Sequence, residues 1–435
     1  MPQTLNINQA DFEACFLALL TAKREDSPDV DAIVADIIAD VRARGDDAVI
    51  ELTEKFDQLN LTPDTLAFSR EEIMAHCATV PTVEREALEL AADRIRAYHA
   101  RQLPLDAQWE DETGAELGWR WTPVSAAGLY VPGGLASYPS SVLMNAIPAK
   151  VAGVERLAIC VPTPDGVTNP LVLLAAHIAG VDEIYRIGGA QAIAALAYGT
   201  ETIAPVDKIT GPGNAFVAAA KRRVFGKVGI DMIAGPSEIL VIADGDNDPA
   251  WIATDLLSQA EHDESAQSIL ITPDAALADA VAQAVEHALK TLPRAAIAGE
   301  SWARHGAVIV VKDLAEAAAL TNRLAPEHLQ LMVDDPRGLL GQIRHAGAAF
   351  LGRFCPEAVG DYIAGPNHVL PTGGWAGTAS PVSVFDFMKR TTIAHVTSRG
   401  YPELAKHARV LATYEGFEAH ANAVSEMRDA ILKAK

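Results

Sequence analysis

Apolar residues recur at helical spacing in the first hundred positions: Ile33, Ile37, Ile38 and Val41 fall on one face, and Ser69 with Glu72 makes a capping box before another helical stretch. The chain therefore opens on helices. From about residue 155 the rhythm changes to short β-branched runs such as 157–161, each followed by an amphipathic stretch such as 171–178. That alternation predicts parallel strands joined by crossover helices. It returns at 183–187, 237–243, 268–272, 307–311 and 348–351, too many strands for one small sheet. The pattern predicts an α/β fold with two doubly wound, incomplete Rossmann-like parallel-sheet domains, 128–236 and 237–380. A helical region, 1–127, precedes them and packs partly with the second. A helical tail, 381–435, follows, broken by Gly400, Pro402 and Gly416. Such a tail either packs on its own body or reaches across to a second subunit.

Composition narrows the function classes. Of 435 residues, 49% are hydrophobic and 21% charged, enough apolar content for well-buried cores. The formal charge is −22, and no block of Lys and Arg interrupts the acidity, so attraction to a phosphate backbone is opposed and no nucleic-acid partner is expected. No apolar run approaches the roughly 18 residues that span a bilayer, and Met1-Pro2-Gln3-Thr4 does not begin a secretion signal. The expectation is a cytoplasmic protein with no membrane partner. Cys15, Cys77, Cys160 and Cys355 are widely spaced and form no CxxC pair, which points to reduced thiols rather than disulfides or a thiolate zinc site. Cys355 alone lies near a chemically busy segment, where a nucleophile is an option beside a small buried side chain.

Three glycine-bearing loops stand where parallel sheets bind ligands: Gly128 to Gly134 around Tyr130, Gly188-Gly189-Ala190-Gln191, and Gly211-Pro212-Gly213-Asn214. Glycine admits close backbone approach to a pyrophosphate, and a helix after each loop offers N–H donors. The GxGxxG fingerprint is incomplete, because Phe216 occupies the last glycine position. On pattern alone, ordinary βα turns are the better reading. Gln259 and His262, three apart, fall on one helix face where a metal or a polar ligand can bridge them, yet zinc wants about four ligands. Further donors lie at Asp361 and His368, in the long irregular segment 354–380, and at Glu415 and His420 in the tail. Adjacent Glu327 and His328 offer two bases for two proton transfers, provided burial raises the glutamate.

These segments together resemble the histidinol dehydrogenases: GLYVPGG, YPSSVLMNAIPA, IGGAQAIAALAYGT, TGPGNAFVAAAKR, IDMIAGPSEILVIAD, DLLSQAEHD, NRLAPEHLQL, GDYIAGPNHVLPT and EGFEAHANA, in collinear order over nearly the whole chain. VRARGDDAVIELTEKFD near the start also looks like the family. The resemblance implies one zinc ion per subunit held by Gln259, His262, Asp361 and His420, and NAD+ contacted by Tyr130, Gln191 and Asn214. It implies a substrate surrounded by Ser237, His328, Glu415 and the zinc ligands, with Glu327 and His328 as proton acceptors and His368 as a supporting contact. The implied reaction is the four-electron oxidation of L-histidinol, through the aldehyde, to L-histidine in an intertwined homodimer. Competing readings are a related dehydrogenase of another polar alcohol, a zinc hydrolase and a non-catalytic binding protein.

Overall fold

The computed structural model describes residues 2–21, 28–132, 138–233 and 235–424. By contacts the chain divides into two compact units, one of residues 1–102 with 124–387 and one of residues 103–123 with 388–435. Within the larger unit lie two wholly parallel sheets. The first, in spatial order, is Glu183–Tyr185, Arg156–Cys160, Ala126–Tyr130, Lys208–Thr210 and Gly229–Ile230. The second is Gln3–Asn6, Ala307–Val310, Gln267–Thr272, Glu238–Ala243, His328–Met332 and Ala348–Leu351.

The six-residue run Glu238–Ala243 shows why these sequences become central strands. It is buried at every position, with alternate side chains entering two different cores. Leu240 and Ile242 pack with Leu329, Leu331 and Phe16 on one face. Ile239 and Val241 pack with Leu256, Leu270 and Trp302 on the other. A strand covered by helices on both faces reads as continuously apolar, and each fully buried Leu or Ile contributes about 1.5–3 kcal/mol. In both sheets the central strand has its chain-order successors on opposite sides, which opens a crevice at the carboxyl ends between Ala126–Tyr130 and Lys208–Thr210.

Three expectations change. The helical opening contains strands: Gln3–Asn6, which extends the six-stranded sheet at its edge and buries only Leu5, and Ala107–Glu110 with Ala115–Pro123, whose mostly half-buried or exposed residues hide any apolar alternation. The packing of this opening is shared between the two sheets. Leu5, Phe12, Phe16 and Leu19 join the six-stranded sheet, whereas Val34, Ile37, Ile38, Val41, Ala48 and Val49 pack over the five-stranded one. Ile33, expected on that buried face, is exposed. The tail, expected to lack strands, contributes Met388–Val396, which pairs antiparallel with Ala115–Pro123, itself paired with Ala107–Glu110. Eight of its nine residues are exposed, so no apolar alternation betrayed it. Among its described residues the smaller unit also carries two helices, Tyr401–Tyr414 and Glu418–Ala423. No helix among the described residues is long and apolar enough to cross a membrane.

Candidate active site

Glu327 and His328 lie at the amino end of their strand, opposite the carboxyl-end position expected of a doubly wound sheet. The turn before them bends sharply, with Ala325 at φ 45°. Across the ladder, the backbone of Glu238 fixes both side chains. Its N–H donates to Glu327 Oε2 at 2.7 Å, and its carbonyl accepts from His328 Nδ1 at 2.8 Å. With Nδ1 carrying the proton, Nε2 is the basic nitrogen. It faces Asp361 Oδ1 at 3.3 Å and Glu357 Oε1 at 3.8 Å. Phe350 stacks on the imidazole at 6.0 Å between ring centres.

Burial sets the electrostatics. It pushes the Glu327 carboxyl up to about 8 and Glu357 up to about 7. Burial also opposes a charge on His328, but Glu357, Glu327 and Asp361 outweigh it and hold the imidazole well above its ordinary value. Asp361 loses solvent too, yet its contact with His328 keeps it below the usual carboxylate range. A base, a reserve acid and two flanking carboxylates therefore share one small volume. This is chemistry suited to moving protons near neutral pH.

Asp361 is carried by one irregular helical turn, Gly360–Ala364. His368 ties that turn down: its Nδ1 meets the Asp361 carbonyl at 2.9 Å, and its Nε2 meets Ser141 Oγ at 3.3 Å. Arg94 donates to the carbonyls of Ile363 and Ala364, at 2.5 and 3.2 Å. Asn367 donates to the Met144 carbonyl at 2.6 Å. Gln259 ends the buried face of helix Pro249–Ala260, and His262 follows on the turn beyond it rather than on the helix itself. Their side chains meet at 3.3 Å, Gln259 Nε2 to His262 Nδ1. Among the described residues Gln259 Oε1 is buried without a hydrogen-bond partner, and His262 lies close enough for its charge to lower Asp361. A buried orphan carbonyl oxygen beside an imidazole and a carboxylate fits a borderline cation such as zinc. A second set, His328, Glu357 and Asp361, also brings three donor atoms within 4.8 Å of one another.

At the carboxyl-end crevice of the five-stranded sheet the structure brings Tyr130, Gln191 and the Gly211 loop together. Tyr130 is buried, its hydroxyl accepting from the Gly189 N–H at 3.1 Å. Gln191 Oε1 folds back so closely that a Cβ on Gly189 would meet it at 2.8 Å. Asn214 caps helix Ala215–Val224, accepting from the N–H groups of Phe216 and Val217 at 3.1 and 3.2 Å. Gly133 and Gly134 lie outside the described residues. Ser237 precedes the clamp residue Glu238 and is half-buried. Glu415 and His420 belong to the smaller unit. Glu415 closes helix Tyr401–Tyr414, and exposed His420 leans on Phe417 with ring centres 5.3 Å apart. The four cysteines are unpaired, Cys355 half-buried just ahead of Glu357.

The histidinol dehydrogenase family model matches residues 20–428. The chain belongs to the histidinol dehydrogenase family. It is 71% identical to the histidinol dehydrogenase of Ruegeria pomeroyi over 99% of each chain, and 69% identical to that of Cereibacter sphaeroides over 99% of each. Its fold superposes on the crystal structure of histidinol dehydrogenase from Elizabethkingia anophelis with a TM-score of 0.94 at 37% identity, covering 99% of this chain and 98% of the other. The chain is thus an oxidoreductase of histidine biosynthesis, acting on histidinol. Glu357, Glu238 and Ser141 were not expected at the site. Glu357 follows Pro356 in an irregular loop, and nothing in its local pattern separates it from a surface glutamate.

Proposed function

We propose that the chain oxidises L-histidinol through L-histidinaldehyde to L-histidine at one site, with His328 and Glu327 as successive bases. The observation that carries this reading is the fixed tautomer of His328. Its Nδ1 is committed to the Glu238 carbonyl, so in the neutral form of His328 it is Nε2 that takes the hydroxyl proton as hydride leaves the carbinol carbon. Glu357 and Asp361 then stabilise the imidazolium, and Asp361 and Ser237 help seat the substrate. The aldehyde must add water before a second hydride departs. Glu327, held by the Glu238 N–H, accepts that water's proton. His368 keeps the Asp361 turn in place.

NAD+ seated by Tyr130, Gln191 and Asn214 would accept one hydride in each oxidation. Zinc held by Gln259, His262, Asp361 and His420 would orient the substrate's imidazole and amino nitrogens. We assign the zinc to this set rather than to His328, Glu357 and Asp361, because His328 is needed as a base and the orphan oxygen of Gln259 otherwise has no partner. Complete turnover should yield two NADH per histidinol consumed. One NADH per histidinol, with aldehyde accumulating, would contradict a four-electron enzyme.

The reading includes a homodimer in which Glu415 and His420 complete the partner's site. Two exposed polar residues at and beyond the end of helix Tyr401–Tyr414 suit a swapped tail. Co-refolding a His420→Ala chain with a His262→Ala chain should restore activity, since one site of each mixed dimer receives every ligand. Mixed dimers as inactive as either parent would place the tail within its own chain.

A further inference from the structure

Beneath the Gly211-Pro212-Gly213-Asn214 loop lies an ion pair that the chemistry above does not use. Lys221, two turns into helix Ala215–Val224, pairs with Asp231, which follows strand Gly229–Ile230. Their side chains are 2% and 0% exposed. Both also grip one residue of the loop: Asp231 Oδ2 accepts from the Gly211 N–H at 2.8 Å, and Lys221 Nζ donates to the Gly211 carbonyl at 2.9 Å. The two polar groups of a single residue are thus held by opposite charges that also hold each other.

Gly211 has little freedom around this clamp. Its φ is +115°, a left-handed region that disfavours side chains, and a Cβ there would lie 2.1 Å from the Tyr130 carbonyl oxygen. The clamped residue therefore presses against the backbone of Tyr130 and leads, three residues on, to the capping amide of Asn214. Stability alone is a poor reason for such a pair. Removing two charges from water is costly, and apolar replacements of similar volume are often neutral or stabilising. What an apolar pair cannot do is hold an N–H and a carbonyl at fixed positions.

We propose that Lys221 and Asp231 are positioning residues for the dinucleotide, setting the Gly211 peptide so that the loop and the helix start behind it meet the cofactor beside Tyr130. This rests on the placement of NAD+ at that crevice. The decisive variant is Lys221→Met with Asp231→Leu, which removes both charges together and leaves neither buried alone. We expect its melting midpoint to fall modestly, because the Gly211 N–H and carbonyl lose their partners, and its zinc content and KM for histidinol to stay near those of the unaltered enzyme, while KM for NAD+ and the Kd for NADH measured by fluorescence rise about tenfold to a hundredfold, the scale of a misplacement of about 1 Å. Lys221→Arg, which keeps the charge, should recover part of that loss.

Tyr130→Ala and Gln191→Ala serve as controls. If they weaken NADH binding and the double variant does not, the clamp is purely structural and the proposal falls. If neither control weakens it, the placement of NAD+ is itself wrong and the proposal falls with it. Should the double variant fail to fold, Lys221→Arg carries the test by itself: weaker NADH binding with unchanged histidinol KM supports the clamp, and parity with the unaltered enzyme overturns it.

Discussion

Asp361 stands in two donor sets at once, and single substitutions separate them. If zinc sits on Gln259, His262 and Asp361, then His262→Ala should lose metal and activity together, because a ligand is gone. Glu357→Gln should keep the metal and lose activity, because a carboxylate facing His328 Nε2 is gone instead. Metal analysis of both purified proteins checks this. Zinc retained by His262→Ala and lost from Glu357→Gln would move the ion to His328, Glu357 and Asp361. The grouping of these residues was the part of the site most legible in the sequence, since Glu327, His328, Asp361 and His368 all sit in long distinctive motifs and the structure gathers them. The clamp by Glu238 was not legible. It acts through backbone atoms, which every residue possesses, so no side-chain pattern announces it.

Secondary elements were readable in proportion to their burial. Runs at 237–243, 268–272 and 307–311 appear as strands Glu238–Ala243, Gln267–Thr272 and Ala307–Val310, because central strands carry continuous apolar side chains. Gln3–Asn6 and Met388–Val396 escaped detection, since an edge strand with one buried residue and a strand with exposed faces follow no apolar period. The irregular turn Gly360–Ala364 escaped for a different reason: its shape depends on a close fit with the six-stranded sheet. A Cβ on Gly360 would fall 1.9 Å from Phe350 Cε1, and Phe350 in turn stacks on His328. Gly360→Ala should therefore cost about 1–3 kcal/mol of stability through overpacking and should lower kcat by displacing His328 and Asp361. Denaturant titration alongside turnover checks both. Unchanged stability with full activity would show that Phe350 yields without consequence.

At the scale of the whole molecule, two parallel sheets divide the work by their edges. The five-stranded sheet offers its carboxyl-end crevice at Tyr130 and Gly211, whereas the six-stranded sheet offers the amino end of its strands at Glu238 and His328. Ser141, on a helix following the first sheet's central strand, touches His368 from the segment that follows the second, so the larger unit joins the two regions through a polar contact. One site placed this way can hold an aldehyde between two oxidations, and the central claim is that it does so with two different bases. The direct test is to assay the half-reactions separately, histidinol to aldehyde and aldehyde to histidine, in His328→Gln and Glu327→Gln. His328→Gln should lose the alcohol step by about 10²–10⁴, the usual worth of a general base. Glu327→Gln should keep much of that step and lose mainly the aldehyde step. Because burial raises Glu327 to about 8, its basic form grows as pH rises, so the aldehyde step of the unaltered enzyme should climb through about pH 8 and that rise should vanish in Glu327→Gln. Equal losses in both steps for both variants, with the pH rise intact, would contradict the division of labour.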